Sequence, residues 1–309
     1  MPKEAELSFI ICTFNRAGYL DDSLSSLLEG SPPRSQVELL VVDNNSTDET
    51  PEVVQQHQKK NPVQDIQICY VKEKNQGLSH ARNRGIEEAN APIIVFVDDD
   101  IRASKNYINS WIHFFEGHPD VNAAGGKIHV QFDDPRPDWM SSYLLPLLGL
   151  HDFGTSIKPY RKTDYPFGGN MAFKADIFDE YGTFNTDLGR IGSDLKASEE
   201  KELFRRLQQD DLTISYVPDA LLYHRVNSSR LTKDYIRRQA IGLGQSIALQ
   251  LKHASGWLII STMMKEIGKW AATVALFVFY GLKLRLSKGV TLFQFRYWIL
   301  KGLLFRNRS

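Results

Sequence analysis

Cysteine, net charge and long apolar runs are all scarce in this 309-residue chain. Its two cysteines, Cys12 and Cys69, each sit inside an apolar, strand-like run. That usage excludes a disulfide scaffold and fits reduced core thiols in a cytosolic protein. The 37 Lys and Arg are matched by 37 Asp and Glu, and with 42 % hydrophobic and 24 % charged residues the composition excludes a disordered or repetitive chain. In the C-terminal segment the longest uncharged run, residues 270–282, has 13 residues, whereas a spanning helix needs about 20. Residues 1–6 carry acids and no apolar stretch, so no signal peptide is expected and the chain is expected to start in the cytosol.

The neutral total hides an asymmetry. From Gly256 onward nine Lys and Arg face one acid, Glu266, so residues 1–255 carry the balancing acidic excess. The basic tail alternates with aromatic and aliphatic blocks such as Val274–Tyr280 and Tyr297–Leu300. This is the composition of helices lying in a membrane interface, although a helical cap with solvated basic residues would read the same way. Long aliphatic blocks between the basic residues argue against nucleic acid as a partner.

Short β-branched runs at residues 7–12, 38–42, 66–71 and 93–97 alternate with amphipathic segments near 19–28, 50–60 and 79–89. The alternation predicts an α/β fold with a mainly parallel sheet. Residues 133–164, rich in Pro, Asp, Gly and Tyr, read as a site-shaping loop. A strand is expected near 212–217, helix from 198 to 209 with Ser198 as its cap, and mostly helix from Lys233 on. The domain boundary is expected near residue 245, giving a catalytic domain over 1–245 and a helical appendage over 246–309.

Ligands of open parallel sheets bind beyond the carboxyl ends of the strands, and those positions are polar here: Thr13, Asn15 and Arg16, then Asp43 and Asn44, then Asp98, Asp99 and Asp100. Three consecutive carboxylates repel one another, and a cation relieves the repulsion most directly. Were the strand to persist, Asp98 and Asp100 would share a face and one Mg²⁺ or Mn²⁺ ion; a solvated, helix-capping turn is the competing reading. Arg82, one turn into its helix, could meet a diphosphate or lie on the surface. Glu200 shares a helical face with Phe204 and Leu207, which turns its carboxylate toward the protein and suggests general-base duty. His224 gains meaning only if it faces the aspartates.

Taken in order and spacing, these stretches, with Gly168-Gly169-Asn170, resemble the family 2 glycosyltransferases over residues 7–245. The resemblance implies a GT-A fold, a mixed, mainly parallel sheet flanked by helices with a C-terminal helical appendage. It also implies inverting transfer from a nucleoside-diphosphate sugar to a hydroxyl. By the same resemblance Thr13, Asn15, Asp43, Asn44 and Arg82 hold the donor, with Asp99 beside its ribose or sugar and Gly169 and Asn170 in a close-approach loop. Asp98, Asp100 and His224 would hold Mn²⁺ or Mg²⁺, and the acid at Glu200 would be the base, with the adjacent Glu199 its rival. Asn44 stands where many relatives carry a second acid, so the donor base is left open. The expected setting is the inner face of the cell membrane, with a glycan or lipid-linked acceptor in cell-surface glycan or exopolysaccharide synthesis. A nucleotidyltransferase would need a Gly-rich basic loop after the first strand, which is missing. A non-catalytic nucleotide-sugar or membrane-binding scaffold is the rival from another class.

Overall fold

A computed structural model describes residues 5–188, 199–252 and 256–304. In it the chain divides into two compact units, one of residues 1–129 and 151–225, the other of 130–150 and 226–309. Residue 245 lies inside α7 (Lys233–Leu251), a helix of the second unit.

The first unit is built on a sheet that runs β3-β2-β1-β4-β8-β6-β9-β5, with β7 (Lys158–Pro159) paired to β9 (Ile214–Val226). β1 (Leu7–Thr13), β2 (Val37–Asp43), β3 (Ile66–Lys72) and β4 (Ile93–Asp98) are parallel, and β8 (Asn170–Lys174) joins β4 antiparallel. The first four match the expected runs to within a residue at each end; β1, β2 and β4 are buried on both faces, which requires the largely apolar sequence that marks them, while β3, at the sheet edge, exposes Gln67 and Lys72.

Side-chain alternation divides the core into two layers. Phe9, Ile11, Leu39, Val41 and Val95 face one side, where α1 (Ala17–Leu28), α2 (Thr50–Lys60) and α4 (Tyr107–Gly117) bury Leu20, Leu24, Val54 and Trp111. Ile10, Leu40, Val42 and Phe96 face the other, against α3 (Leu78–Glu88), α5 (Asp176–Tyr181) and α6 (Glu199–Gln209). The α3 helix lies so close to β1 that a methyl at Gly85 would stand 3.0 Å from Ile10 Cδ1.

Two segments differ from the sequence expectation. The strand expected at 212–217 continues through Pro218 to Val226, with Ala220, Leu222, His224 and Val226 buried on one face. Within 133–164 a 3₁₀ turn, Ser142–Leu148, forms because Leu144 and Leu148 bury in the core of the second unit. β6 (Ala123–Phe132) and the short β5 (Ile101–Ala103) complete the sheet. Ser198, the expected cap of α6, lies outside the described residues, as do Arg306 and Arg308 of the basic tail.

In the second unit α7 packs on α9 (Leu286–Leu304) and α8 (Gly256–Leu282) packs on α9. The α7–α9 crossing is made by glycine. A methyl at Gly244 would lie 2.8 Å from Leu303 N and 3.0 Å from Gly302 C, and one at Gly302 would meet the backbone of Ile241. Backbone cannot move aside as a side-chain tip can. Gly244→Val or Gly302→Val is therefore expected to destabilise this unit by about 1–3 kcal/mol. Hydrogen exchange should quicken in α7 and α9 and leave β1–β4 unchanged; unaltered protection in α7 would refute the crossing.

Candidate active site

Strands β1, β2 and β4 stop at a common edge. Thr13 lies opposite Asp43 and Cys12 opposite Asp98, so their register alone gathers residues separated by up to 86 positions.

Loops at this edge are stitched by the polar residues that follow the strands. Asp43 Oδ1 accepts from Ser46 N at 2.7 Å and Oδ2 from the Tyr70 hydroxyl at 2.7 Å. Asn44 Oδ1 accepts from Gly77 N at 2.7 Å, and its Nδ2 donates to Asn75 O at 2.7 Å. Gly77 adopts φ +143°, a value that favours glycine. Asn15, itself at φ +51°, accepts from Thr47 N at 2.7 Å and donates its own N–H to Ser46 Oγ at 2.9 Å. These side chains hold the rim of a cleft by positioning backbone.

β4 ends at Asp98, and the chain bends before β5. Asp98 and Asp100 therefore do not share a strand face; the neighbouring pair, Asp99 and Asp100, meets at one guanidinium. Arg16 donates from Nη1 to Asp99 Oδ1 at 2.7 Å and from Nη2 to Asp100 Oδ2 at 2.6 Å. Thr13 Oγ1 donates to Asp99 Oδ2 at 2.8 Å. His224, on β9, faces the turn as required, with Nε2 3.3 Å from Asp100 Oδ2. Asp98 takes the other direction, its carboxylate lying against Gly169, where any side chain would collide with it. Burial pushes the Asp99 carboxyl up to about 7, with Arg16 opposing and Asp100 reinforcing the rise.

The bend is clamped from α1. Ser23 Oγ donates to Asp99 O at 2.6 Å and accepts from Ile101 N at 3.1 Å. Among the described residues no three ligand-type side chains converge closely enough to hold an ion as they stand. The donor set nevertheless suits a hard divalent cation: two carboxylates and an imidazole beside a turn in which Arg16 bridges two of three consecutive acids. Cys12, half-buried on β1 opposite Asp98, has its thiol pushed up to about 12 by desolvation and stays protonated.

The opposite wall comes from α3 and α6. Arg82 Nη1 donates to Glu199 Oε1 at 2.8 Å, both side chains buried, with the guanidinium 5.3 Å over the Phe184 ring. Gly168 leaves the space that Arg82 fills. Glu200 differs from its neighbour. Its Oε2 is buried with no hydrogen-bond partner among the described residues, and burial together with the Glu199 charge pushes its carboxyl up to about 7, Arg82 opposing. By contrast Glu38, a buried carboxylate at the far end of the sheet, accepts from Ser8 Oγ at 2.5 Å and from Asn90 Nδ2 at 3.0 Å. Asn170 is satisfied on every side: it accepts from the Tyr107 hydroxyl at 2.7 Å and donates to Ala220 O at 2.9 Å and Lys127 O at 3.0 Å.

Sequence reasoning named Arg16 as polar but gave it no task, and missed Ser23, Tyr70 and Tyr107. Arg16 carried a signal in its place directly after the first strand. Ser23 and Tyr107 sit in amphipathic helices as ordinary core-facing residues, with no local mark of their partners.

The family model for glycosyl transferase family 2 matches residues 8–182. A glucosyl-dolichyl phosphate glucuronosyltransferase of Haloferax volcanii is 24 % identical over 246 residues, covering 78 % of this chain and 76 % of that one. A dolichyl N-acetyl-alpha-D-glucosaminyl phosphate 3-beta-D-2,3-diacetamido-2,3-dideoxy-beta-D-glucuronosyltransferase of Methanococcus voltae is 30 % identical over 129 residues, 40 % of this chain and 39 % of its own length. Among solved structures, a mannosyltransferase from Pyrobaculum calidifontis in complex with GDP-Man and Mn²⁺ aligns over 98 % of this chain and 88 % of its own, with a TM-score of 0.61 at 18 % identity. That likeness is one of fold, the GT-A type expected from the motifs. A family match over more than half of the chain, laid across the very strands whose ends carry Thr13, Asp43 and the acidic turn, means that the chain belongs to glycosyl transferase family 2 and is a glycosyltransferase.

Proposed function

We propose that the chain is an inverting, divalent-cation-dependent transferase that moves a sugar from a nucleoside-diphosphate donor to a hydroxyl of a lipid-linked or nascent glycan at the inner face of the cell membrane. The observation that carries this reading is Glu200. A carboxylate oxygen buried without a hydrogen-bond partner, as Glu200 Oε2 is among the described residues, costs stability, and a role as proton acceptor accounts for its being kept. Glu199, already paired with Arg82, is the less suited of the two for that role.

In the mechanism Glu200 takes the proton of the acceptor hydroxyl as its oxygen attacks the anomeric carbon in line. The bond from that carbon to the diphosphate oxygen breaks, and the sugar is transferred with inversion. Asp98, Asp100 and His224 would hold the cation, which when bound supplies neutralisation of the charge growing on the leaving diphosphate. Thr13, Asn15, Asp43 and Asn44 shape the nucleoside cleft through the loops they fix, with Asp99 beside the ribose or sugar. Gly168 and Gly169 keep the floor free of side chains near Arg82 and Asp98, and Asn170 anchors that loop. The names of the two archaeal relatives, both acting on dolichyl phosphate-linked sugars, support a lipid-linked acceptor.

The C-terminal unit supports a place on the membrane surface. Trp257, Leu282 and Leu284 are 78 %, 80 % and 92 % exposed, Lys283 and Arg285 lie in the α8–α9 turn, and Lys288 stands in the first turn of α9. No described helix is long and apolar enough to cross a membrane. α8, with 27 residues, has the length, but Lys265, Glu266 and Lys269 interrupt its apolar run. Apolar surface rimmed by cations suits anionic lipid headgroups.

Four outcomes are expected. In a nucleoside-diphosphate release assay over UDP-, GDP- and dTDP-sugars with Mn²⁺ or Mg²⁺, one donor turns over, and Glu200→Gln lowers kcat by about 10²–10⁴-fold while keeping donor affinity. Below about pH 7 the wild-type kcat/KM should fall about tenfold per unit, as protonation of Glu200 in the free enzyme removes the base. Full activity of Glu200→Gln would defeat the assignment. Stability should move the opposite way. Glu200 in the folded chain holds its proton to about 7, against an ordinary 4.5, so its contribution to stability is lost as pH rises through that window. Urea unfolding at pH 8 is expected to find Glu200→Gln more stable than wild type by roughly 3 kcal/mol. Finally, wild type should sediment with phosphatidylglycerol-containing vesicles, and replacement of Lys283, Arg285 and Lys288 by Glu should abolish it; unchanged sedimentation would overturn the membrane reading.

A further inference from the structure

We propose that Arg16 is a positioning residue of the acidic turn, whose guanidinium occupies Asp100 and is displaced from it when a divalent cation binds. The inference rests on the metal-dependent reading above and concerns what the chain itself does to admit the ion.

Arg16 spans the turn with both arms of its fork, on Asp99 at 2.7 Å and Asp100 at 2.6 Å. A planar guanidinium holds two carboxylates on separate nitrogens in a fixed fork, a geometry an ammonium does not impose. The Asp100 oxygen it takes, Oδ2, is also the one 3.3 Å from His224 Nε2. A cation held by Asp100 and His224 must therefore share that corner with a fixed positive charge, and like charges at such range repel strongly. One of them yields. The carboxylates are 4 % and 3 % exposed and clamped through Ser23 and Thr13, so they stay; the Arg16 side chain is 33 % exposed and can leave without unpacking the core.

A place to go is built beside it. Arg16, Tyr19, Asp22, Asp48, Glu49 and Arg225 line an open cavity of about 390 Å³. The guanidinium already lies 4.8 Å over the Tyr19 ring, and although Asp22 of the lining is paired with Arg225, Asp48 and Glu49 would receive its charge. Asp99, which Thr13 also holds, can keep one arm of the fork while Asp100 is released. Arg16 thus keeps neighbouring carboxylates together and sets a threshold that a cation must exceed.

Calorimetric titration with Mn²⁺ alone, without donor, tests this apart from turnover. Arg16→Gln is expected to bind Mn²⁺ about tenfold more tightly than wild type, and Arg16→Lys, which keeps the charge, to stay within about threefold of wild type. Equal or weaker binding by Arg16→Gln would overturn the proposal. Should that variant not fold, wild type serves: the Arg16 Nε–H signal in NMR is expected to shift on saturation with Mg²⁺, and a signal that stays in place refutes displacement. Wild type that binds Mn²⁺ while Arg16→Gln gains nothing sinks this inference only, whereas no Mn²⁺ binding by any form removes the metal-dependent reading itself.

Discussion

Three carboxylates in consecutive positions at the end of a central strand repel one another, and much of the catalytic unit is arranged around keeping them there. Strand β4 delivers them to the edge shared with β1 and β2, so the compensating groups arrive on neighbouring strands and helices. Thr13 and Arg16 come from the end of β1, Ser23 from the core face of α1, His224 from β9 and Gly169 from the loop before β8. Each removes part of the repulsion differently: a hydroxyl that donates, a guanidinium that bridges, a backbone clamp that fixes the bend, and a missing side chain that lets Asp98 point away. A hydrogen bond or ion pair to an ionised group is worth more than a neutral one, which is why the turn holds without burying an uncompensated cluster.

The fold was legible wherever one physical demand controlled the sequence. Strands buried on both faces must be largely apolar along their length, so β1, β2 and β4 are marked by their runs and by the polar residues at their carboxyl ends. Legibility failed where distant contacts decided. β9 reads short because Pro218 is a strand breaker in isolation, yet the alternation from Ala220 to Val226 carries the chain on to place His224. The Ser142–Leu148 turn hides in a stretch whose Pro and Asp content says loop, and it exists because Leu144 and Leu148 find a core formed mostly from residues after 226. Site residues followed the same division. Strand-end positions were found by topology, but the pairing of Asp99 with Asp100 depends on Ser23, 76 residues away. A pattern of period two cannot reveal such a bend.

Adjacent Glu199 and Glu200 show how one arginine can give two identical side chains different chemistry. Helical rotation sends neighbours in directions about 100° apart, so Arg82 cannot serve both equally. It pairs with Glu199, and that pair brings a negative charge beside Glu200 along with the positive one. Burial then acts on Glu200 with little to oppose it, which is the condition that raises a carboxyl toward neutrality. The buried Glu38 shows that this fold can satisfy a carboxylate when nothing but stability is at stake. On the proposed reading Glu200, with one buried oxygen unsatisfied among the described residues, carries a stability cost kept for proton transfer.

The two units divide the physical tasks in a way that their sequences reflect. The catalytic unit concentrates acids at one sheet edge and balances them internally, so its chemistry depends on fixed distances within a rigid core. The C-terminal unit places its buried residues on a small core with Tyr280, Leu292, Phe295 and Ile299, and leaves large apolar side chains along α8 and α9 exposed. A helix pair that buried everything apolar would not need glycine to bring α7 and α9 into backbone contact; here Gly244 and Gly302 let the inner faces close while the outer faces stay apolar. On the proposed reading an acceptor held by its lipid would reach the enzyme along a surface instead of through bulk water, and a unit whose exposed apolar residues favour that surface would raise the effective concentration of acceptor without adding any contact to the sugar. Specificity for the sugar can then reside in the catalytic unit and residence at the surface in the other, which lets each vary in sequence without disturbing its partner's task.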